Sequence, residues 1–206
     1  MARGKLITIE GIDGAGKTTL AQSLVAALSE RGIDATLLRE PGGVRAAERI
    51  RDLVQDPEAQ IGPRAEALLY AAARAQLVEE AVEPLLAAGR LVLLDRFVDS
   101  SLAYQGAGRD LGVHAVRAIN EFGTGGLVPD RTLLLQVTTG VGRTRSRGRT
   151  EPLDRLERQP DEFFDRIATA YTELAASEPG RIRTIDASRE PPVVLGAALD
   201  AIADLL

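Results

Sequence analysis

Apolar residues along this chain follow two spacings that alternate. Short, nearly continuous apolar runs are typical of strands buried on both faces of a sheet, whereas apolar residues that recur every three or four positions indicate helices. The short runs predict strands over residues 6–10, 35–38, 91–94, 132–137 and 182–185. The helical spacing predicts helices over residues 17–31, 46–54, 64–88, 113–122, 161–177 and 192–206. Strands that alternate with helices predict an α/β fold with a mainly parallel sheet covered on both faces.

Two segments need separate comment. The long helical pattern over residues 64–88 contains Pro84, which we expect to kink it, and Gly89, which we expect to end it. Residues 140–157 are polar, rich in arginine and poor in apolar side chains, so we expect a flexible surface segment there. The chain has no internal repeat and no linker-like stretch, and we therefore expect one domain over residues 1–206.

Residues that could bind a ligand or take part in catalysis follow several of the predicted strands. Gly11, Glu40, Asp95 and the loop after Val137 each come directly after an apolar run. Ligands of open parallel sheets bind at the carboxyl ends of the strands. The sequence therefore predicts that these positions converge at one edge of the sheet.

Composition limits the class of protein. The absence of cysteine excludes disulfides and thiolate metal sites, and the net charge of -5 argues against a surface built mainly for nucleic acid. No apolar run reaches the length of a membrane helix and no charged-then-apolar leader precedes the first strand, so we expect no membrane partner and a cytoplasmic location. Lys5 and Lys17 are the only lysines among 25 basic residues, which makes Lys17 conspicuous.

The stretch "GIDGAGKT" after the first strand matches the whole pattern of a phosphate-binding loop. Its members are Gly11, Ile12, Asp13, Gly14, Ala15, Gly16, Lys17 and Thr18. Glycines let backbone N–H groups point at phosphate oxygens, and the helix that begins near Lys17 adds the positive end of its dipole. We expect Lys17 to reach the outer phosphates and the Thr18 hydroxyl to ligate Mg2+; the alternative is a glycine-rich turn without a ligand.

Asp95 ends the third strand and Arg96 follows it at once. A carboxylate there can hold Mg2+ opposite Thr18, often through water, although it could also be half of a strand-end ion pair. Arginine cannot serve as the base that activates water for hydrolysis. Its side chain is suited to binding a second phosphate group instead, which favours phosphoryl transfer to a bound acceptor over hydrolysis.

Four arginines alternate with other residues in the polar segment, at positions 143, 145, 147 and 149. Their simplest interpretation is a solvated loop. The functional interpretation is a lid, over about residues 140–157, that closes on the phosphates. A guanidinium brought to the transferring group can raise the rate on the order of a thousandfold, and closure excludes water.

Together these segments resemble bacterial thymidylate kinases, which phosphorylate dTMP with ATP. The resemblance extends from residue 7 to about 186 and rests on "EGIDGAGKTT", "REPGG", "LLYAAARAQL", "DRFVDSSLAYQGAGR", "NEFGTGGLVPD" and "PLDRLE". It implies a three-layer α/β/α P-loop NTPase fold of the nucleoside monophosphate kinase type. It also implies Mg2+ with ATP as phosphoryl donor, and a homodimer that packs through helices around residues 64–86 or 113–122.

The resemblance also implies roles for individual residues. Asp13 matches the acidic residue that contacts the sugar 3'-hydroxyl of dTMP, Glu40 and Arg51 match residues near the acceptor phosphate, and Arg96 matches the arginine that grips that phosphate. Tyr70 stands where an aromatic ring stacks on thymine, and Arg74, Ser101 and Gln105 match polar contacts to the base. Tyr104 resembles the ring that crowds the 2' position. Judged by residue type alone, Tyr70 would belong to the core and Arg74 to the surface.

The catalytic arginine is expected in the lid. Some members of the family carry it in the phosphate loop, but that position here is Gly14. Arg147 matches the lid arginine best and Arg149 is the second candidate, whereas Arg143 is expected against adenine. Val44 and Gln136 depart from the residues usual in the family, and the lid is slightly longer.

Two competing functions remain open at this stage. One is a kinase for another nucleotide or a small alcohol, which would not depend on Tyr70. The other is a nucleotide-binding module without transfer activity; a GTP switch is disfavoured because the chain lacks an Asn-Lys-x-Asp stretch. Release of ADP measured over a panel of monophosphates would separate these functions.

Overall fold

The predicted strands form one parallel sheet in the part of the chain that the computed structural model describes, residues 3–148, 150 and 153–206. The strands are β1 (Leu6–Glu10), β2 (Ala35–Arg39), β3 (Leu91–Asp95), β4 (Arg131–Gln136) and β5 (Ile182–Asp186). Their order across the sheet is β2-β3-β1-β4-β5, and every neighbouring pair is parallel. The central strands are buried along almost their whole length, which is why their sequences are continuous apolar runs.

Helices cover both faces of this sheet. They are α1 (Lys17–Glu30), α2 (Arg45–Gln55), α3 (Pro63–Leu77), α4 (Glu83–Ala87), α5 (Val98–Ser101), α6 (Val113–Thr124), α7 (Thr139–Arg147), α8 (Asp161–Ser177) and α9 (Pro191–Ile202). Alternate residues of β1 separate into two hydrophobic clusters: Ile7 and Ile9 join the cluster that includes α1 and α9, whereas Leu6 joins Leu77 and Leu86. The predicted three-layer α/β/α arrangement is confirmed.

The long helical pattern over residues 64–88 is interrupted, as Pro84 led us to expect. A π-helical turn over Val78–Val82 separates α3 from α4, and Pro84 lies in the first turn of α4. Proline has no N–H to donate to the preceding turn, and the wider π-turn accommodates that loss. Gly89, with a φ of 76°, follows the end of α4.

Two further helical segments follow strand ends. α5 continues into a π-helix over Leu102–Gly108. Residues 139–147, where the polar sequence predicts a flexible segment rather than a helix, form α7, whose first turn is capped by the Thr138 hydroxyl. The prediction missed α7 because the buried positions of this helix are Gly142 and Ser146 rather than large apolar residues. In the described ranges no helix combines the length and the apolar character needed to cross a membrane.

Candidate functional site

One cavity of about 190 Å³ lies at the carboxyl edge of the sheet. The ends of the three strands beside it are level, because Asp95 of β3 pairs in register with both Ile9 of β1 and Arg39 of β2. The cavity is lined by many of the residues singled out from the sequence: Asp13, Lys17, Thr18, Glu40, Arg51, Tyr70, Arg74, Asp95, Arg96, Ser101, Tyr104 and Gln105. Glu40 and Asp95, two of the positions expected to converge at this edge, are among these residues.

The phosphate-binding loop connects β1 to α1 at one end of this cavity. Gly11, Gly14 and Gly16 all have positive φ values, of 139°, 78° and 96°, which L-residues rarely adopt. Gly16 caps α1 without any side-chain hydrogen bond, so the first N–H groups of the helix have no capping side chain. The Lys17 ammonium donates to the carbonyls of Gly11 and Ile12, at 3.1 and 2.9 Å, and so spans the loop. Burial, and secondly the charge of Arg96, lowers the pKa of Lys17 to about 8.

Thr18 and Asp95 face each other beside the loop. The Thr18 hydroxyl donates to Asp95 Oδ2 at 3.0 Å. A hydroxyl and a carboxylate at this separation are the hard oxygen ligands that Mg2+ takes. In the described part of the chain no group of three or more carboxylates, histidines or cysteines could hold a metal by itself. This sparse donor set fits Mg2+, which binds through one or two protein oxygens and completes its shell with water and phosphate.

Arg96 lies in the centre of the site in an unusual backbone conformation. Its φ of 71° falls in the left-handed region, which costs a non-glycine residue roughly 1–2 kcal/mol. Its guanidinium contacts Asp13, the carbonyl of Gly11 at 3.1 Å and the Ser100 hydroxyl at 3.0 Å. The Tyr104 hydroxyl donates to Asp13 Oδ2 at 2.8 Å, and the Tyr104 ring lies under the guanidinium at 5.0 Å. Arg96 is therefore held in place at the cavity wall by the loop on one side and by Tyr104 on the other.

Glu10 supports the turn that carries Arg96, and sequence reasoning missed it. This carboxylate is fully buried and accepts hydrogen bonds from the backbone N–H of Phe97 at 2.8 Å and of Ser100 at 3.2 Å. It also accepts from the hydroxyls of Ser100 and Tyr171. Burial, followed by the proximity of Asp99, raises the pKa of Glu10. The signal available in the sequence was a charged residue that ends an otherwise apolar strand immediately before the phosphate-binding loop.

Arg74 is buried, contrary to what its residue type alone suggests, with only 2% of its surface exposed. It donates to Glu40 Oε2 at 2.7 Å, to the Ser101 hydroxyl at 2.9 Å, to the carbonyl of Phe97 at 2.9 Å and to Asn120. A hydrogen bond from Arg74 to a base, as the resemblance implies, would have to replace one of these protein contacts.

Glu40 is the buried partner of Arg74. Its second oxygen, Oε1, has no hydrogen-bond partner among the described residues. Burial raises the pKa of Glu40 to about 7, against the opposing effect of Arg74. The buried pair therefore links the loop after β2 to α3 at the floor of the cavity.

The remaining predicted acceptor residues lie around the same cavity. Tyr70 is half-buried, and Arg51 donates to the carbonyl of Pro41 at 2.9 Å. Gln105 Nε2 donates to Glu66 Oε1 at 2.9 Å. The buried Glu66 was also missed from the sequence, where it is one of several glutamates on a helical pattern without a distinguishing signal.

The predicted lid arginines differ in their partners and in their exposure to solvent. Arg143 pairs with Asp161 at 2.9 Å and stacks over Phe164 at 4.3 Å. Arg147 is 55% exposed, lies 3.5 Å from Asp161 and is not among the residues that line the cavity. Arg149 lies outside the described residues.

Helix α7, which lies in the predicted lid segment, contacts the phosphate-binding loop through backbone atoms. A Cβ atom placed on Gly14 would lie 2.1 Å from the carbonyl oxygen of Gly142, and one placed on Gly142 would lie 2.8 Å from the carbonyl oxygen of Asp13. Two glycines therefore permit a contact that no other residue pair would allow in this arrangement.

Comparison with known proteins was consistent across three kinds of evidence. The family model described as thymidylate kinase matches residues 9–195. The chain is 46% identical to the thymidylate kinase of Rhizorhabdus wittichii over 206 residues, covering 98% of this chain and 99% of that one. It is also 46% identical to that of Oenococcus oeni over 211 residues, covering 100% and 98%. The crystal structure of thymidylate kinase from Ehrlichia chaffeensis matches with a TM-score of 0.80 at 26% identity, covering 98% and 99%.

Proposed function

The chain belongs to the thymidylate kinase family, and from this we propose how its residues transfer the γ-phosphoryl group of ATP to dTMP, giving dTDP and ADP. The observation that carries the proposal is the single cavity in which the phosphate-binding loop, the Thr18–Asp95 pair and Arg96 meet. A donor phosphate and an acceptor phosphate can meet there because cationic and N–H groups converge on the same space.

The donor end is formed by the phosphate-binding loop. The N–H groups of residues 11–18 and the Lys17 ammonium bind the β- and γ-phosphates of ATP, and Arg143 lies at the start of the lid on the adenine side. Thr18 and Asp95 would hold Mg2+ directly or through water, and the bound ion would supply positive charge against the phosphates. Phosphate oxygens near Lys17 would replace its present carbonyl partners and favour its charged form.

The acceptor end is formed by the opposite wall of the cavity. Arg96 and Arg51 bind the phosphate of dTMP, with Glu40 nearby. Asp13 accepts a hydrogen bond from the sugar 3'-hydroxyl, and Tyr104 occupies the space that a 2'-hydroxyl would need. The base is bound by a further set of side chains, which are Tyr70, Arg74, Ser101 and Gln105.

The reaction requires positioning and charge rather than a general base. The attacking oxygen belongs to an already ionised phosphate, so no proton has to be removed from it. Arg96 aligns that phosphate, and a lid arginine neutralises the transferring group when the lid over residues 140–157 closes. Arg147 is our first candidate for this role and Arg149 the second. Because Arg147 is paired with Asp161 outside the cavity, its action requires this contact to be exchanged on closure.

We also propose that the protein acts as a homodimer. Phe122 on α6 is 92% exposed and Leu68 on α3 is 57% exposed, and these two helices pack together. Large apolar side chains on adjacent helices suit a surface that a second copy covers. Substitution Phe122→Glu should shift the mass measured by light scattering from dimer to monomer, while Val193→Glu, an exposed apolar position on α9, should not. The cytoplasmic location and the single domain over residues 1–206 stay predictions.

A coupled assay of ADP release tests the function directly. The purified protein should turn over dTMP in the presence of ATP and Mg2+, and should turn over dUMP, CMP and AMP much more slowly. Substitution Arg96→Met should abolish turnover, whereas Arg45→Met, a basic residue of α2 that does not line the cavity, should leave it intact. Equal turnover of all the monophosphates, or full activity of Arg96→Met, would refute the assignment.

A further inference from the structure

A buried carboxylate lies directly behind the wall of the acceptor cavity. Glu66 on α3 is completely buried and does not line the cavity. Gln105, on the π-helix after α5, does line it and donates from Nε2 to Glu66 Oε1 at 2.9 Å. Gln105 therefore connects the buried Glu66 carboxylate to the cavity through a direct hydrogen bond.

The surroundings of Glu66 leave the Gln105 amide only one orientation. Arg109 donates to both carboxylate oxygens, at 3.2 and 3.0 Å, and Arg155 lies 2.7 Å from Oε2. A carboxylate between two guanidinium groups accepts hydrogen bonds and donates none. The NH2 end of the Gln105 amide must therefore face Glu66. Gln105 Oε1, at the other end, accepts no hydrogen bond from the described residues.

We propose that Glu66 is a positioning residue that sets the base specificity of the acceptor site, because it turns the Gln105 carbonyl oxygen towards the base. The inference rests on the proposed function and deepens it. Thymine carries an N–H donor at N3, which a carbonyl oxygen accepts. Cytosine carries an unprotonated acceptor at N3, which would face the Gln105 oxygen without a hydrogen between them. Two hydrogen-bond acceptors that face each other in a buried site disfavour binding of the ligand that carries one of them.

Substitution Glu66→Gln tests this with almost no change in shape. The oxygen of the new amide should stay with Arg155 and Arg109, which offer it charged donors. Its NH2 group would then face Gln105, whose amide must rotate by half a turn to present an acceptor. The rotation points the Gln105 NH2 group at the base, where it opposes the N3–H of thymine and suits the N3 of cytosine.

The experiment compares equilibrium binding of dTMP and 5-methyl-dCMP by calorimetry. The two ligands share the methyl group and differ in the donor pattern at N3 and C4. The preference for dTMP should fall roughly tenfold to a hundredfold in Glu66→Gln, the range expected when a buried hydrogen bond is replaced by an unpaired group. Arg155→Met, which removes a partner of Glu66 but leaves Gln105 facing a carboxylate, should lower the unfolding temperature and keep the wild-type preference.

A second substitution guards against misfolding of the first. Gln105→Leu removes the amide and should lower the dTMP preference, and adding Glu66→Gln to it should change the preference no further. An undiminished preference in Glu66→Gln or in Gln105→Leu would overturn the proposal, as would loss of preference in Arg155→Met. Because binding is measured without turnover, a protein that binds dTMP selectively yet fails to phosphorylate it would refute the proposed function and leave the role of Glu66 standing.

Discussion

The contact between Gly14 and Gly142 allows the role of the lid to be tested by adding one methyl group. Substitution Gly14→Ala has two consequences. The first is backbone strain, because a φ of 78° costs an L-residue roughly 1–2 kcal/mol. The second is a clash, because the new Cβ would lie 2.1 Å from the Gly142 carbonyl oxygen, whereas ordinary contact begins at 3.4 Å. The start of α7 must therefore retreat from the loop by about 1.3 Å.

Displacement of this size should affect catalysis more than binding. Misplacing a catalytic group by about 1 Å can lower the rate a hundredfold. We therefore expect kcat of Gly14→Ala to fall by about two orders of magnitude, because the predicted lid arginine Arg147 lies on α7 and would be displaced with it. The KM for dTMP should stay close to wild type, because neither Gly14 nor Gly142 lines the cavity. Hydrogen exchange of residues 139–147 should become faster.

Two matched variants separate the clash from the strain. Gly32→Ala has nearly the same φ, 75°, but its Cβ would meet no atom within 4 Å, and the residue lies outside the site. It should lose similar stability and keep its kcat. Gly142→Ala adds the methyl group on the α7 side of the same contact and leaves the sequence of the loop unchanged. It should reproduce the kinetic effect of Gly14→Ala. If Gly14→Ala and Gly142→Ala both turn over dTMP as fast as Gly32→Ala, docking of α7 on the loop is not needed for transfer.

Three further predictions concern single charged groups. Arg147→Ala should lower kcat on the order of a thousandfold with little change in the dissociation constant of dTMP measured by calorimetry; an unchanged kcat would move the role to another lid arginine. Because burial lowers the pKa of Lys17 to about 8 from 10.5, the folded protein without ligand binds fewer protons than the unfolded chain between these values. Its free energy of unfolding should therefore gain up to about 3 kcal/mol from this group as the pH rises from 8 to 10.5, relative to Lys17→Met, in urea titrations; parallel curves for the two proteins would contradict this. Arg74→Met leaves Glu40 as an unpaired buried carboxyl and should cost roughly 3–5 kcal/mol of unfolding free energy near neutral pH. At pH 5 the loss of unfolding free energy should be smaller, because Glu40, with a pKa of about 7, is protonated there. A loss that does not depend on pH would mean that the charge of Glu40 is not the cause.

Local features of this protein could be predicted from its sequence with good accuracy. The predicted strand over residues 6–10 and the predicted helix over 161–177 coincide with β1 and α8. The phosphate-binding loop was recognised because its residues are contiguous and their types and spacing match a known phosphate-binding pattern. The meeting of Gly11, Glu40 and Asp95 at one edge followed from the topology of parallel sheets, without any knowledge of distances.

Other features depend on groups that only the tertiary structure brings together. Arg74 is buried because acceptors from three separate segments, at Glu40, at residues 97–101 and at Asn120, reach it, and no pattern along one helix records that. The helix α7 was missed because its contact with Gly14 uses backbone and glycine rather than an apolar face. Glu66 resembles the other glutamates of the helical pattern over residues 64–88 until Gln105, 39 positions away, is placed against it. Periodicity reports which face of an element is buried, whereas hydrogen-bond partners at long separation depend on how the elements pack.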